Sequence, residues 1–381
     1  MTFRPIQPTD HERLLRSAVR EFLRTALPPG YRPRLAFASA HDPDFTRALA
    51  ARGWVGMTIP KKYGGAGAPY MDRYIVAEEL LAAGAPIGAH WAADRQTASM
   101  ILKYGTEDQR RTYLPKIASG EWYFSVGMSE PDSGSDLASV RTTARRDDAG
   151  GWIVNGTKVW TTHAHLNHFM LTLCRTSAHE DRHHGLSQMI VDLKAPGVTV
   201  RPIEFIDGSD DFNEVVLEDV HVADTNVLGD VGAGWQQATS ELAYERSGPD
   251  RYLTVMAPLI EFVRRTVDRG GNARQAEAIG GIAAKLWGVR QLGLAVARSI
   301  DEGAMPSAEA ALVKDLGTAL EQEIVETLRE VAGVELDPTS DDLFENLLAE
   351  AVATGPSFTI RGGTTEVMRS VAAKGLEGVR W

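Results

Sequence analysis

The chain has 381 residues, 43% of them hydrophobic and 24% charged, which is ordinary for a globular protein of two or three domains. Its formal net charge of −11 argues against nucleic acid as a partner. No apolar run approaches the length of a membrane span and no signal segment follows Met1, so we expect a cytoplasmic protein with no membrane span. Cys174 is the only cysteine, which excludes an intrachain disulfide and agrees with a reducing compartment.

Residues 9–120 have the apolar periodicity of helices. Thr9 with Glu12, and Thr106 with Gln109, have the spacing of capping boxes at helix N-termini. A glycine-rich segment, residues 62–67, interrupts the helices. Because no strand precedes it, this segment does not predict a dinucleotide-binding loop.

From Glu121 the periodicity becomes that of short strands. Asn155-Gly156 separates two apolar runs, 152–154 and 157–160, and this dipeptide predicts a β-hairpin turn. Several strands at this spacing indicate a small barrel or a sandwich. After Gly234 helical periodicity returns, with segments long enough for a four-helix bundle at 253–267, 276–299, 308–331 and 343–351.

A two-part motif lies in the strand region. Its first part, residues 126–137, is a turn-rich loop whose backbone N–H groups and serine hydroxyls suit a phosphate or a flat polar ring. Its second part is Trp160-Thr161-Thr162, an indole followed by hydroxyl groups that can donate hydrogen bonds. On the residues alone, a cofactor loop and an ordinary surface turn both remain open.

The motif S-E-P-x-x-G-S-D, followed by N-G-x-K-x-W-T-T, resembles the flavin-binding signature of the acyl-CoA dehydrogenase family, and the likeness continues along nearly all of the chain. The resemblance implies an α+β multidomain fold: an N-terminal helical domain at 1–120, a central β-barrel at 121–231 and a C-terminal four-helix bundle at 232–381. It also implies FAD as cofactor, an acyl-CoA substrate and an electron-transferring flavoprotein as electron acceptor. The cofactor-binding residues so implied are Met128, Ser129, Ser135, Trp160, Thr161, Thr162, Thr364 and Glu366, and the substrate-binding residues are Ser135, Arg246 and Gly363.

Desaturation of a thioester needs a base that removes a proton from the α carbon. In the best-known members the base is a C-terminal glutamate, whose place in this chain is taken by Gly362. Glu245 matches the L-x-x-E-R pattern of isovaleryl-type and steroid-type members, so the resemblance predicts Glu245 as base and the backbone N–H of Gly362 as the group that polarises the carbonyl. The alternatives are a surface Glu245 paired with Arg246, and Glu366 as base. Gly248-Pro249, about one turn after Glu245, predicts a kink or an interruption of the helix.

Two further expectations concern substrate and assembly. A base at Glu245 goes with branched or bulky acyl groups in relatives. The family motifs that reach a neighbouring subunit's flavin are poorly kept at Arg329–Gly333 and absent near 269–275. We therefore expect an oligomer, possibly heteromeric with a second acyl-CoA dehydrogenase-like chain. The alternative functions are a non-catalytic partner subunit and an oxygen-using flavin oxidase or monooxygenase.

His163, His165 and His168 cluster in the sequence, but acidic residues at ligand spacing are lacking, so we expect no metal site.

Overall fold

A computed structural model describes residues 5–35, 40–178, 181–206 and 208–376, with the side chains of 241–245 outside the description. The chain divides into two compact units. The helical unit comprises Met1–Ala40, Pro69–Pro86 and Ala243–Trp381, and the sheet unit comprises His41–Ala68 and Ile87–Leu242.

The helices of the described residues have these bounds in chain order: α1 Asp10–Ala26, α2 Pro43–Ala50, α3 Tyr70–Ala82, α4 Gly88–Ala92, α5 Ala98–Tyr104, α6 Glu107–Ala118, α7 Gly234–Arg246, α8 Met256–Arg269, α9 Ala273–Asp301, α10 Ser307–Val331, α11 Leu343–Thr354 and α12 Thr365–Leu376. A π-helical turn, Ala93–Thr97, joins α4 to α5.

Both predicted capping boxes are confirmed. The Thr9 hydroxyl accepts the Glu12 N–H at 3.2 Å, and the Glu12 carboxylate accepts the Thr9 N–H at 3.0 Å. Thr106 and Gln109 make the same reciprocal pair at the start of α6. Each cap satisfies backbone donors that the first turn of a helix leaves without partners, and a cap of this kind contributes about 1 kcal/mol.

The strands are β1 Phe124–Gly127, β2 Thr143–Arg146, β3 Trp152–Thr162, β4 Phe169–Arg175, β5 Leu186–Asp192, β6 Val198–Ile203, β7 Phe212–Val222 and β8 Val227–Leu228. They form one sheet in the order β6-β7-β3-β2-β4-β5-β8, with β1 pairing in parallel with β4. Alternate residues of these strands, among them Val154, Met170, Met189 and Val215, are buried together in one hydrophobic core.

The hairpin predicted at Asn155-Gly156 is wrong. Both residues lie inside the continuous strand β3, where the register against β7 shifts between Val154 and Gly156. The Asn155 amide donates to the Asp219 carboxylate at 2.9 Å and its oxygen accepts the Asp219 N–H, so β7 holds the dipeptide extended. A Cβ at Gly156 would lie 2.3 Å from the Thr142 hydroxyl, so the glycine permits a close approach of β2.

The predicted fold class is confirmed, because helices precede and follow the sheet-forming stretch from β1 to β8. Within the described parts of the chain, no helix is both long and apolar enough to cross a bilayer. The predicted domain bounds at 120 and 231 stay predictions.

Candidate active site

The two parts of the sequence motif contact each other directly in the sheet unit. The Lys158 ammonium donates to the Glu130 carboxylate at 2.8 Å and to the Met128 carbonyl at 3.2 Å. The Val159 N–H donates to the Ser129 carbonyl at 3.0 Å. Lys158 is fully buried and Glu130 is 8% exposed, so a buried ion pair fastens strand β3 to the S-E-P loop.

Glu130 also anchors the loop to the start of β2. Its carboxylate oxygens accept the backbone N–H groups of Thr142 at 2.9 Å and Arg141 at 2.7 Å. Burial, the largest influence, would raise the pKa of Glu130, but Lys158 and these hydrogen bonds together lower it below its ordinary value. Glu130 is therefore ionised and structural. Neither Glu130 nor Lys158 was predicted as a site residue, although both stand inside the motif.

Trp160 presents its ring to solvent from a bulge in β3. The register against β7 shifts between Lys158 and Thr161, and Trp160 has a φ of 60°. The side chain remains 56% exposed, with Phe205 at a ring-centroid distance of 6.4 Å. A positive φ at a residue other than glycine is uncommon and costs energy. Together with the exposure of the indole, it makes Trp160 a candidate binding surface.

The neighbouring candidates differ in accessibility. Thr161 is fully buried, and its hydroxyl has no hydrogen-bond partner among the described residues. Thr162 and Ser129 are half-buried, while Ser135 is exposed. Met128 packs with Leu137 and Trp235 against a small buried cluster. An exposed indole, with the accessible hydroxyls of Thr162 and Ser129 on the adjoining backbone, fits a flat aromatic cofactor such as a flavin.

In the helical unit, Arg246 lies beside the consecutive residues Gly362 and Gly363. Gly362 has a φ of 69° and Gly363 a φ of 101°, which only glycine adopts readily. A Cβ on Gly363 would lie 3.5 Å from a guanidinium nitrogen of Arg246. Arg246 is buried, so its charge is held beside the glycine pair.

Arg251, which the sequence analysis did not single out, packs against Gly362. A Cβ built on Gly362 would lie 2.8–2.9 Å from the Arg251 guanidinium group. Arg251 is 1% exposed and pairs with Asp250 at 3.2 Å. A glutamate could not take the place of Gly362 unless Arg251 moved. In this chain the Arg251 guanidinium therefore occupies the space that the side chain of a C-terminal base would need.

Glu366, the rival base, is an exposed residue at the start of α12. Its pKa is lowered, first by its own backbone N–H at the helix N-terminus and then by a hydrogen bond with Thr364. A carboxylate with a lowered pKa is a weak base. Thr364 itself is half-buried, and its hydroxyl accepts the Val367 N–H at 3.4 Å.

Glu245 lies in α7, but its side chain is outside the described part of the chain, so its role stays a prediction. The helix ends at Arg246, and Gly248 is extended before a 3₁₀ turn, Pro249–Arg251. This interruption is the one that Gly248-Pro249 predicts.

His163 has an acidic partner that the sequence analysis did not foresee. It is 1% exposed, and its Nε2 lies 3.1 Å from the Asp211 carboxylate. Its ring centroid lies 5.3 Å from that of His41. Burial, and then repulsion from His163, lower the pKa of His41 to about 4. No group of three or more His, Cys, Asp or Glu side chains suited to a metal occurs in the part of the chain that the structure describes.

Comparison with known proteins agrees with this arrangement. Models of the acyl-CoA dehydrogenase N-terminal, middle and C-terminal domains match residues 9–121, 125–220 and 232–377. Acyl-CoA dehydrogenase FadE29 of Mycobacterium tuberculosis is 32% identical over 98% of each chain. Acyl-CoA dehydrogenase FadE34 of the same organism is 33% identical, over 92% of this chain and 49% of its own length.

Solved structures give the same result. A steroid ACAD, Tcur3481-Tcur3483, superposes with a TM-score of 0.87 at 26% identity, covering 98% of this chain and 99% of its own. The ChsE4-ChsE5 complex of M. tuberculosis gives 0.83 at 28% identity with full coverage of both chains. The chain belongs to the acyl-CoA dehydrogenase family. Its members are oxidoreductases that act on the CH–CH group of acyl-CoA thioesters.

Proposed function

We propose that this chain is an FAD-dependent acyl-CoA dehydrogenase that converts an acyl-CoA thioester into its 2,3-enoyl-CoA. The observation that carries the proposal is Trp160, a solvent-facing indole on a strained bulge that the Glu130–Lys158 ion pair fastens to the S-E-P loop. Met128, Ser129, Ser135, Thr161, Thr162, Thr364 and Glu366 complete the proposed flavin contacts. When bound, FAD supplies the acceptor for the hydride that leaves the β carbon.

Glu245 is the proposed base for the α proton. The place of the C-terminal base is taken by Gly362, and the Arg251 guanidinium fills the adjacent space. The raised pKa that a base needs comes from partial loss of solvent around its carboxylate. With Glu366 exposed and its pKa lowered, Glu245 is the carboxylate that the family pattern supports.

Gly362 and Arg246 would hold the thioester end of the substrate. A backbone N–H at Gly362 can donate to the thioester carbonyl and stabilise the negative charge that grows there as the α proton leaves. Arg246 adds a buried cation beside Gly363, which favours the anionic coenzyme A portion. Neither the Gly362 N–H nor the Arg246 guanidinium has to gain or lose a proton to make these contacts.

A branched or bulky acyl group is the proposed substrate class, which a base at Glu245 and the similarity to a steroid ACAD support. An electron-transferring flavoprotein is the proposed acceptor. The direct test is anaerobic bleaching of the bound flavin by a panel of straight, branched and sterol-side-chain CoA esters. Bleaching by a branched or bulky ester supports the proposal, and a flavin that no ester reduces overturns it. Fast re-oxidation in air would instead indicate an oxygen-using relative.

We propose domain bounds at residues 120 and 231.

We further propose a heteromeric assembly in which this chain is the catalytic member. The poorly kept neighbour motif at Arg329–Gly333 supports it, as does the similarity to ChsE4-ChsE5, a complex named for two chains. Expressed alone, the chain should bind FAD below one per chain. Full occupancy and activity in a pure homo-oligomer would contradict the assembly. A reconstituted complex that keeps full activity with Glu245→Gln would make this chain the non-catalytic partner.

A further inference from the structure

Helix α10 carries charged side chains into the interior of the helical unit. Lys314, Thr318 and Glu321 follow one another at helical spacing, and all of them are fully buried. Lysine and glutamate are rarely buried to this extent, because removing a charge from water costs several kcal/mol unless hydrogen bonds compensate. The partners of these side chains therefore indicate what they do.

Lys314 and Gln322, about two turns apart on α10, bind the segment that leads to the glycine pair. The Lys314 ammonium donates to the Thr359 carbonyl at 2.9 Å. The Gln322 amide donates to the Gly355 carbonyl at 3.0 Å. Helix α10 thus holds the backbone of residues 355–359 at two points.

Glu321 joins Arg361, which lies two residues beyond Thr359 in the same segment, to Thr254, which precedes α8. One carboxylate oxygen accepts the Thr254 N–H at 2.7 Å, and the other accepts from the Arg361 guanidinium at 3.3 Å. Arg361 also donates to the Thr254 hydroxyl at 2.7 Å. Glu321, Arg361 and Thr254 therefore close a ring of hydrogen bonds directly before Gly362.

The glycine pair needs such external support. Gly362 and Gly363 have no side chains of their own, and both adopt a left-handed backbone. Glycine has the greatest backbone freedom of any residue, so neighbouring groups must fix the direction of the Gly362 N–H. An error of about 1 Å in such a group can cost on the order of 10²-fold in rate.

We propose that Glu321 and Lys314 are positioning residues, which orient the Gly362 N–H toward the thioester carbonyl through Arg361 and the Thr359 carbonyl. This role rests on the proposed function. It assigns to α10 a part in catalysis although neither side chain touches the substrate.

The test compares Glu321→Gln with Glu323→Gln in the flavin-loaded protein, co-expressed with its partner chain if one is required. Glu323 lies on the same helix, but it is solvent-exposed and pairs with Lys285. The first readout is the infrared carbonyl stretch of a bound, ¹³C-labelled acyl-CoA ester, which reports the hydrogen bond to the carbonyl. The others are the ester's Kd and the anaerobic rate constant of flavin reduction.

We expect Glu321→Gln to shift the carbonyl stretch back toward its value in water and to slow flavin reduction about 10–100-fold, with Kd changed less than about 3-fold. Glu323→Gln should match the parent in all of these measurements. Thr254→Val, which keeps the shape and the backbone N–H but removes the hydroxyl, should give a smaller shift in the same direction. It serves as the test if Glu321→Gln does not fold.

Parent-like carbonyl stretch and rate in both Glu321→Gln and Thr254→Val would overturn the positioning role while leaving the proposed function standing. A parent protein whose flavin no CoA ester reduces would instead overturn the proposed function, and the positioning role with it.

Discussion

The Lys158 ammonium lies 2.8 Å from the Glu130 carboxylate, in a buried contact that joins the two parts of the S-E-P and W-T-T sequence motif across 28 residues of sequence. The contact explains why a glutamate and a lysine occur in a motif otherwise made of small and hydroxyl-bearing residues. The pair therefore ties the loop to the strand, and both present candidate flavin contacts.

Breaking the Glu130–Lys158 pair should lower both the stability of the fold and the amount of FAD that stays bound. Glu130→Gln leaves the buried Lys158 charge without its counter-charge, and removal of one partner of a buried pair typically costs about 3–5 kcal/mol. We expect a lower Tm and lost FAD, with part of the stability regained in the Glu130→Gln, Lys158→Met double variant. Glu214→Gln, which breaks the exposed pair with Arg201, is the control and should cost at most about 1 kcal/mol. Equal effects in the two single variants would contradict the structural role of Glu130.

Substitutions at Trp160 separate an effect on stability from an effect on FAD binding. Trp160→Gly and Trp160→Ala both remove the ring, but glycine relieves the positive φ and alanine does not. We expect both to retain FAD poorly. The glycine variant should be more stable than the alanine variant by about 1 kcal/mol in the apo form. Equilibrium unfolding and flavin fluorescence after dialysis measure the two effects, and parent-like FAD retention in both variants would remove Trp160 from the flavin site.

The close packing of Arg251 against Gly362 predicts that an alanine substitution costs more stability there than at Gly333. Gly362→Ala brings a Cβ to 2.8 Å from Arg251, whereas Gly333→Ala has a similar φ of 65° but nothing within 4 Å. Both variants should lose about 1 kcal/mol from the positive φ, and Gly362→Ala should lose a further 1–3 kcal/mol, roughly, from overpacking. Chemical denaturation gives both values. Equal losses would show that Arg251 moves aside without cost.

His41 should make the sheet unit sensitive to acid. Its pKa is about 4 in the folded chain and about 6.5 in the unfolded one. The unfolded state therefore binds the proton first, and stability present above pH 6.5 is lost as the pH falls toward 4. The loss should be about 1–2 kcal/mol, since solvent still reaches part of the ring. His41→Gln should flatten the Tm profile in this window, and a profile as steep as the parent's would contradict the role of His41.

Local patterns predicted the fold well, because capping boxes, helical periodicity and the Gly248-Pro249 interruption each depend on neighbouring residues. The prediction at Asn155-Gly156 failed for the opposite reason: its outcome depends on Asp219 and Thr142, which are distant in sequence. The position of Arg251 beside Gly362 could not be predicted from the sequence for the same reason. Nothing in the sequence around Gly362 indicates that a guanidinium group from another segment fills the space of its absent side chain.

The central claim is that Glu245 is the base, and the variant Glu245→Gln tests it most directly. Glu245→Gln keeps size and hydrogen bonding but cannot accept the α proton, so FAD content and ester binding should remain at the parent level. Single-turnover reduction of the flavin by a saturating branched acyl-CoA, followed anaerobically, should slow by about 10²–10⁴-fold. Glu366→Gln, which alters a proposed flavin contact but not the base, should slow flavin reduction far less than Glu245→Gln does, and Arg246→Ala should mainly raise KM. Flavin reduction at the parent rate in Glu245→Gln would contradict the assignment.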